Sequence, residues 1–184
     1  LNAYEYAAGH GVSIGEEKAR LIGMEAQRAG VAVSIHAPYY INGANPEKLE
    51  SNVAYLLAAA RAVKLMGGSR VVFHPGSPSR LKRETALQNT LETVALARKR
   101  LDDAGCAGIL LCPETMGRPS QLGTLDEIIA LCQAVPGTLP TIDFAHLHAI
   151  TLGAMTDEAA FENVIVRLIN GLGYERVRHF HAHF

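Results

Sequence analysis

Short apolar, β-branched runs alternate with longer helical segments along the whole chain. The runs predict β-strands, and the segments between them have the spacing and cap signals of α-helices. Strict alternation of the two favours a parallel sheet with right-handed crossovers, here in a single domain over residues 1–184. We predict strands at 1–6, 31–37, 70–75, 108–114, 139–144 and 175–183, and helices at 14–29, 46–66, 79–104, 124–134 and 157–171.

Several predicted helix ends carry recognisable cap residues. Capping-box spacing is present at Ser13 with Glu16 and at Thr124 with Glu127. Glycine also stands where helix C-caps are expected, because it adopts the left-handed backbone conformation without steric cost. These glycines are Gly30, Gly67, Gly105 and Gly171.

The number of strands leaves two α/β architectures open. An open doubly wound sheet needs no more than six strands, whereas a TIM (β/α)8 barrel needs eight. No glycine-rich phosphate loop follows the first strand, which weakens a nucleotide-binding doubly wound sheet. The chain begins and stops within predicted strands, so on the barrel interpretation we expect sequence to be missing at both ends.

Composition narrows the functional classes. The formal net charge of the 184 residues is −1, so global charge gives no support to nucleic-acid binding, although bound dications would add positive charge. No apolar run is long enough to cross a membrane, and we expect no membrane partner. The three cysteines lack CxxC spacing, which predicts reduced thiols and a cytoplasmic location.

Histidines and carboxylates lie where successive predicted strands end. The carboxyl ends of parallel strands point the same way, so these side chains should converge on one face. Imidazole and carboxylate suit zinc or a similar divalent ion. We therefore predict a polynuclear metal site at the mouth of a barrel, and metal-assisted hydrolysis. The candidate ligands are His36, His74, Glu114, Asp143, His146 and His181.

Two of these positions have local features of their own. Glu114 follows the apolar run 109–113, where a carboxylate is costly to bury unless it is paired or coordinated. Its two oxygens could bridge two ions, which makes it the catalytic candidate. Asp143 and His146 form a D-x-x-H pair at a strand tip; the alternative is a helix N-cap beside an unrelated surface histidine.

The last predicted strand contains three alternating histidines, His179, His181 and His183. A period of two places all three on one face, as suits a barrel interior near its mouth. A remnant of a purification tag or a polar edge strand is the alternative. His148 is interpreted as a neighbour of the site.

Two aromatic residues follow the first strand-end histidine. Tyr39 and Tyr40 lie in a loop on the predicted mouth, where an aromatic ring could stack on a base or wedge into a duplex. Partial burial in loop packing is the alternative for either ring. His10 lies in a loop on the same face, and its role stays open.

Four motifs, in order over nearly the whole chain, resemble endonuclease IV. This TIM-barrel family of apurinic/apyrimidinic (AP) endonucleases is also called deoxyribonuclease IV. The motifs are Ser34–Asn42 (SIHAPYYIN), Phe73–Ser77 (FHPGS), Pro113–Thr115 (PET) with Gln121–Gly123 (QLG), and Ile142–His146 (IDFAH).

The resemblance implies a zinc-dependent endodeoxyribonuclease of base excision repair, which cleaves the phosphodiester 5′ to an abasic site in DNA at a trinuclear zinc centre. It also implies that Tyr39 is the residue that penetrates the DNA. One zinc would take His36 and His74, a second Asp143 and His181, and a third His146, with Glu114 bridging the first two.

The chain departs from the family at one motif. The family reads His-Leu-Asn-Asp where this chain has His181-Ala182-His183-Phe184, so the role of His183 stays open. A further Asp-x-His pair and a last glutamate ligand would lie beyond Phe184, and the first strand before Leu1. The resemblance thus implies a fragment covering strands 2 to 7, with an incomplete third zinc site, of a protein that is a monomer when complete.

Two other functional classes remain open on the sequence. The first is a metal-dependent sugar isomerase or epimerase of the xylose-isomerase-like barrels, which also arrange carboxylates and histidine around a metal. Its chemistry needs carboxylates for proton transfer and usually one metal, whereas the pair His36 and His74 favours several zinc ions. The second is an inactive truncated remnant that binds metal or DNA without turnover.

Overall fold

Six parallel strands and the helices between them make up the computed structural model, which describes residues 2–184. The predicted alternation of strands and helices is confirmed. The strands are β1 (Ala3–Ala7), β2 (Ala32–His36), β3 (Arg70–Phe73), β4 (Leu110–Pro113), β5 (Thr141–Asp143) and β6 (His181–His183). The helices are α1 (Glu16–Ala29), α2 (Leu49–Leu65) after a 3₁₀ turn at Pro46–Lys48, α3 (Arg83–Asp103), α4 (Leu125–Ala134), α5 (Phe144–Ile150), α6 (Glu158–Leu172) and α7 (Tyr174–Val177).

The strands follow one another in space in the order of the chain. β1 to β4 pair in parallel, and β5 pairs in parallel with β6. Parallel bridges from Leu111 to Thr138 and from Glu114 to Thr141 connect β4 to the segment that contains β5. The six strands therefore form one sequential parallel arrangement, as repeated βα units with right-handed crossovers require.

The sheet curls strongly. β1 and β6 stand at opposite ends of the strand order, yet Glu5 Oε2 in β1 lies 3.1 Å from His181 Nε2 in β6. In a flat sheet, the outer two of six strands would be separated by about 24 Å. Side chains of the first and last strands therefore meet across an enclosed interior. This geometry is that of a partial TIM barrel and excludes the open doubly wound sheet.

The two faces of the strands pack differently. Val33, Ile35, Phe73 and Leu111 point outward into a core shared with α2 and α3. The alternate positions point inward, so that Ser34 faces Glu5 across the β1–β2 pair and donates to its carboxylate over 3.0 Å. Period-2 alternation thus places the polar and ionisable side chains of the strands inside the barrel.

The predicted strand at 175–183 is wrong over most of its length. Gly173, at φ +80°, ends α6 and allows a sharp turn into α7. Val177 is buried in the core beside α6, and Arg176 donates to the carbonyl of Thr138 over 2.6 Å. These contacts fix a helical turn, and β6 begins only at His181. His179 is consequently exposed, outside the strand.

One of the two predicted capping boxes forms in the structure, and the other does not. Thr124 Oγ1 accepts from the Glu127 backbone N–H over 3.3 Å, and Glu127 Oε2 accepts from the Thr124 N–H over 2.9 Å, which completes the predicted capping box. The box predicted at Ser13 is wrong, because α1 begins at Glu16 with Gly15 as N-cap and no side-chain cap bond. Gly171 lies inside α6 and is not a C-cap.

Thr124→Ala should lower the free energy of unfolding by about 1 kcal/mol, since it removes the side-chain acceptor of a formed capping box. Ser13→Ala is the matched control and should change the free energy of unfolding by only a few tenths of a kcal/mol. Urea unfolding followed by circular dichroism measures both. Equal losses in the two variants would contradict this account of the α4 N-terminus.

Among the helices in the described part of the chain, none is both long and apolar enough to cross a membrane. Cys106, Cys112 and Cys132 are buried and form no disulfides. Burial raises the pKa of the Cys112 thiol to about 12 and that of Cys132 to about 11, so both thiols stay protonated at neutral pH.

Candidate metal centre

Glu114 lies at the centre of a group of histidines at the carboxyl ends of the strands. It directly follows β4, and its side chain is 2 % exposed. Its Oε2 lies 3.1 Å from His36 Nε2 and 3.2 Å from His74 Nε2. Its Oε1 lies 3.0 Å from His183 Nδ1 and 3.6 Å from His146 Nδ1. Each carboxylate oxygen therefore faces two imidazoles.

The histidines keep this buried carboxylate charged. Burial alone would raise the pKa of Glu114, but hydrogen bonds with His183, His36 and His74 outweigh it and hold the pKa well below the ordinary value. A buried carboxylate without partners would instead take up a proton. Glu114 is thus an anionic acceptor at neutral pH with both oxygens engaged.

His36 shows how the backbone orients a candidate ligand. Its Nδ1 lies 2.9 Å from the carbonyl oxygen of Ala37, which can only accept, so Nδ1 carries the proton. A neutral ring then presents the Nε2 lone pair to Glu114. Burial lowers the pKa of His36, but the bonds with Glu114 and the Ala37 carbonyl raise it by more, so a proton or a cation at Nε2 is favoured.

Asp143 and His146 are positioned by the start of α5. Asp143 Oδ1 accepts from the His146 backbone N–H over 2.7 Å, so Asp143 is the N-cap of this helix. Asp143 Oδ2 remains directed at the site, 3.4 Å from His146 Nδ1 and 3.9 Å from His183 Nδ1. His146 Nδ1 also donates to the carbonyl of Thr115 over 2.8 Å, which leaves its Nε2 as the nitrogen with a lone pair.

The last strand delivers two histidines at different depths. β6 is in register with β5 so that His183 pairs with Asp143 and His181 with Thr141. His183 therefore lies beside Glu114, near the carboxyl ends of the strands. His181 comes two residues earlier in β6 and lies farther inside the barrel, where its Nε2 is 3.1 Å from Glu5 Oε2. The second ring nitrogen of His183, Nε2, lies 3.1 Å from Glu5 Oε1.

The donors fit a divalent ion of the zinc type. Ligand atoms held at about 2.0–2.1 Å in a tetrahedron stand roughly 3.3 Å apart, close to the nitrogen–oxygen distances around Glu114. Buried imidazole and carboxylate donors, with no thiol among them, suit zinc and similar metals. Within residues 2–184, the groups that could hold an ion are His36 with His74 and Glu114, Glu114 with Asp143 and His183, and Glu5 with His181 and His183.

An open groove runs from this centre toward Tyr39. It has a volume of about 240 Å³ and is lined in part by His74, Tyr39, Lys48 and Gln121. Lys48 brings a positive charge, and Gln121 an amide, to the lining of this groove. A groove with such donors suits an anionic group such as a phosphate.

The wall of the groove between β3 and α3 depends on one glycine. Gly76 has φ +127°, and a Cβ at this position would lie 2.3 Å from Asn42 Oδ1. The same oxygen accepts from the backbone N–H groups of Ala44 and Ser77 over 3.2 and 3.0 Å. Only glycine lets the two loops approach this closely.

Tyr39 lies at the outer end of the groove, with 53 % of its surface exposed. Its hydroxyl lies 3.1 Å from His10 Nδ1, and the two rings meet edge to face. Tyr40 packs edge to face between Tyr39 and Tyr55 and is less exposed. Tyr39 is therefore the ring available to a ligand, and His10 is its neighbour.

Sequence reasoning found most of this cluster but not all of it. The structure brings His36, His74, Glu114 and Asp143 together, places His146 at the margin, and directs His181 toward Glu5, and the role of these residues as metal ligands stays a prediction. The sequence left His183 open and missed Glu5. A glutamate facing inward in a barrel strand was the available signal, since such a charge requires a partner.

The fold and the cluster together define a TIM-barrel protein with a candidate metal centre at the carboxyl ends of its strands. Residues 2–183 match the family described as "Xylose isomerase-like TIM barrel", and the chain belongs to this family.

Similar proteins of known sequence include MJ0133 of Methanocaldococcus jannaschii, an uncharacterized protein that is 31 % identical over 155 residues, which are 83 % of this chain and 56 % of that protein. "Probable endonuclease 4" of Mycoplasma mobile is 29 % identical over 62 % of this chain and 41 % of its own length. The chain thus spans about half the length of the relatives it matches.

Solved structures confirm the fold. Endonuclease IV from Thermus thermophilus superposes with a TM-score of 0.69 at 22 % identity, covering 96 % of this chain and 64 % of that structure. A D-tagatose 3-epimerase-like protein superposes with a TM-score of 0.73 at 21 % identity, covering 92 % and 63 %. Both structures share this barrel.

Proposed function

We propose that this chain is part of a zinc-dependent AP endonuclease that hydrolyses the phosphodiester 5′ to abasic sites in DNA. One observation carries the proposal: each oxygen of the buried Glu114 carboxylate faces its own pair of imidazoles. That arrangement suits a carboxylate shared by two metal ions, and paired ions suit the in-line displacement of a phosphodiester.

The relatives and the motifs support the same assignment. Several proteins that match the chain carry the name "Probable endonuclease 4", among them one of Staphylococcus carnosus that is 25 % identical over 82 % of this chain. The motifs around His36, His74 and Glu114 resemble endonuclease IV and supply the residues of the cluster. Charge supports it locally, since Lys48 lines the groove that also contains His74, while the net charge of the chain is near zero.

We assign the ligands by their geometry. One ion would be held by His36, His74 and Glu114, and a second by Glu114, Asp143 and His183, so that His183 takes the place that the resemblance gave to His181. His146 lies beside both of these ligand groups, and the lone pair on its Nε2 could bind a further ion.

The residues of the chain then have distinct parts in the reaction. Bound ions would supply a hydroxide nucleophile at neutral pH and neutralise the charge that develops on phosphate oxygens. Glu114 would be a ligand of both ions, and the N-cap bond of Asp143 holds one of its own carboxylate oxygens in place. Lys48 and Gln121 orient the phosphodiester in the groove, and Tyr39 contacts the DNA at the lesion.

A metal-dependent sugar epimerase is the second candidate. Glu114, Asp143 and His183 by themselves form a one-ion group with carboxylates suited to proton transfer. The likeness to epimerase structures, at 21 % identity, extends to the fold alone. The pair His36 and His74 on the other oxygen of Glu114 favours two ions and therefore the nuclease.

The complete zinc-loaded protein should nick a duplex containing a single abasic analogue and leave a matched intact duplex uncut. A labelled oligonucleotide resolved on a denaturing gel measures the nick and its position 5′ to the lesion. Ketose epimerisation under matched metal conditions, without any nicking, would move the assignment to the second candidate.

Tyr39→Ala should weaken binding of the abasic duplex by about five- to a hundredfold, because one base–aromatic contact is worth about 1–3 kcal/mol. Zinc content should not change, since Tyr39 contacts none of the candidate ligands. Tyr174→Ala is the matched control: Tyr174 is 62 % exposed at the start of α7, at the opposite ends of the strands. Fluorescence anisotropy with lesion and intact duplexes measures both, and equal effects of the two variants would contradict a lesion-contacting role.

A further inference from the structure

The imidazole of His183 lies between two carboxylates. Its Nδ1 faces Glu114 at 3.0 Å, and its Nε2 faces Glu5 Oε1 at 3.1 Å. Asp143 Oδ2 is also on the Nδ1 side, at 3.9 Å. A neutral imidazole has one lone pair and one N–H, so only one of these nitrogens can bind a metal ion.

The surroundings of the two ring nitrogens decide which one that is. Nδ1 belongs to a group with two carboxylates that could hold an ion, formed with Glu114 and Asp143. Nε2 faces a carboxylate that other donors already hold: Glu5 Oε2 accepts from Ser34 Oγ over 3.0 Å and lies 3.1 Å from His181 Nε2. Ser34 and His181 thus occupy Oε2 of Glu5, and Oε1 is the oxygen that can accept from His183.

We propose that Glu5 is the positioning residue of the metal centre, accepting a hydrogen bond from His183 Nε2–H so that the Nδ1 lone pair is directed at the ion shared with Glu114 and Asp143. Carboxylate acceptors of this kind fix the tautomer and orientation of a ligating histidine and raise its basicity. This inference rests on the proposed metal centre and adds a residue outside the ligand set assigned above.

The other histidines of the centre show why Glu5 matters. His36 and His146 are oriented through Nδ1 by the backbone carbonyls of Ala37 and Thr115, at 2.9 and 2.8 Å. No side-chain substitution removes a backbone acceptor. His183 instead relies on a side chain from β1, the strand at the other end of the sheet, so its orientation can be tested by mutation.

Zinc affinity is the primary measurement, made by competition with a chromophoric chelator on the complete protein. Glu5→Ala should weaken the more affected zinc site by about 10- to 100-fold, the usual range for loss of such an acceptor. Glu5→Gln keeps an oxygen acceptor without the charge, and its loss should be smaller. Zinc stoichiometry should be unchanged in both. Glu17→Gln, on the exposed face of α1, is the matched control and should bind zinc as the wild type does.

A histidine spectrum provides a readout that a merely structural role would not move. In ¹⁵N-histidine-labelled, zinc-loaded protein, His183 should be the Nε2–H tautomer with a slowly exchanging ring proton. In Glu5→Ala that proton should exchange rapidly, while the ring protons of His36 and His146 stay protected. If Glu5→Ala fails to fold by circular dichroism, Glu5→Gln carries the same comparison.

The outcomes separate this inference from the function on which it rests. Wild-type protein that binds less than one zinc per chain overturns the metal centre and the inference with it. Normal zinc binding with unchanged affinity and unchanged His183 exchange in Glu5→Ala overturns the inference alone. Loss of one whole zinc equivalent in both Glu5→Ala and His181→Gln would make Glu5 a direct ligand, which also overturns its positioning role.

Discussion

On the proposed function, Glu114→Gln in the complete protein should reduce nicking of abasic DNA by on the order of a thousandfold. Glutamine keeps the size of the side chain but removes the charge and replaces one carboxylate oxygen by an N–H₂ group. That group faces one pair of imidazoles with donors in place of an acceptor, so it cannot bridge two ions. Steady-state nicking and elemental analysis of dialysed protein measure the loss of turnover and of bound zinc.

Glu92→Gln is the matched control for that substitution. Glu92 lies on the exposed side of α3, and among the described residues its side chain accepts from Gln88 in the preceding turn. Its change to glutamine should leave turnover and zinc content unaltered. Near-wild-type turnover in Glu114→Gln, with normal zinc content, would show that Glu114 is a structural acceptor for histidines. It would contradict the proposal that Glu114 bridges two metal ions.

The folding stability of the metal-free protein and the affinity of the protein for zinc should change with pH in opposite directions. Hydrogen bonds that the His183 ring donates to Glu114 and Glu5 raise the pKa of His183 to about 10, despite the opposing effect of burial. Because the folded-state pKa is raised, the protonated ring contributes stability that is fully present below about pH 6.5 and is lost as pH rises toward 10. Zinc needs the ring deprotonated, so its apparent affinity should increase over the same window.

The expected size of this effect is large. Affinity should increase by about tenfold per pH unit for each histidine that must release a proton, and His36 also has a raised pKa. Zinc competition assays between pH 6.5 and 9, with urea unfolding in chelator at the same pH values, measure the two trends. His183→Gln should flatten both. A zinc affinity independent of pH in the wild type would contradict histidine ligation.

The sequence predicted which side chains meet at the carboxyl ends of the strands better than it predicted how far inside the barrel each one lies. Strand-end positions of His36, His74 and Glu114 follow from the alternation of strands and helices, because parallel strands bring their carboxyl ends together. His181 and His183 share one face of β6, so period-2 alternation cannot tell which of them reaches Glu114. The register of β6 against Asp143 decides it, and register depends on tertiary packing.

Other differences come from tertiary contacts that have no local sequence signal. The predicted strand at 175–183 gave way to α7 because Val177 is buried against α6 and Arg176 binds the carbonyl of Thr138. Propensity alone favours a strand for the alternating pattern there, and packing overrides it. Glu5 was missed for a related reason: its histidine partners lie in β6, at the other end of the strand order, and only the curl of the sheet brings them to β1.

The contact between Glu5 and β6 also affects the order in which the molecule assembles. Its two sides are separated by nearly the whole chain, so it has a high contact order and cannot form until the intervening strands have associated. We expect interactions that form this late to be largely absent from the folding transition state. Weakening them should therefore accelerate unfolding while leaving the folding rate almost unchanged, so Glu5 would govern how long the assembled interior persists.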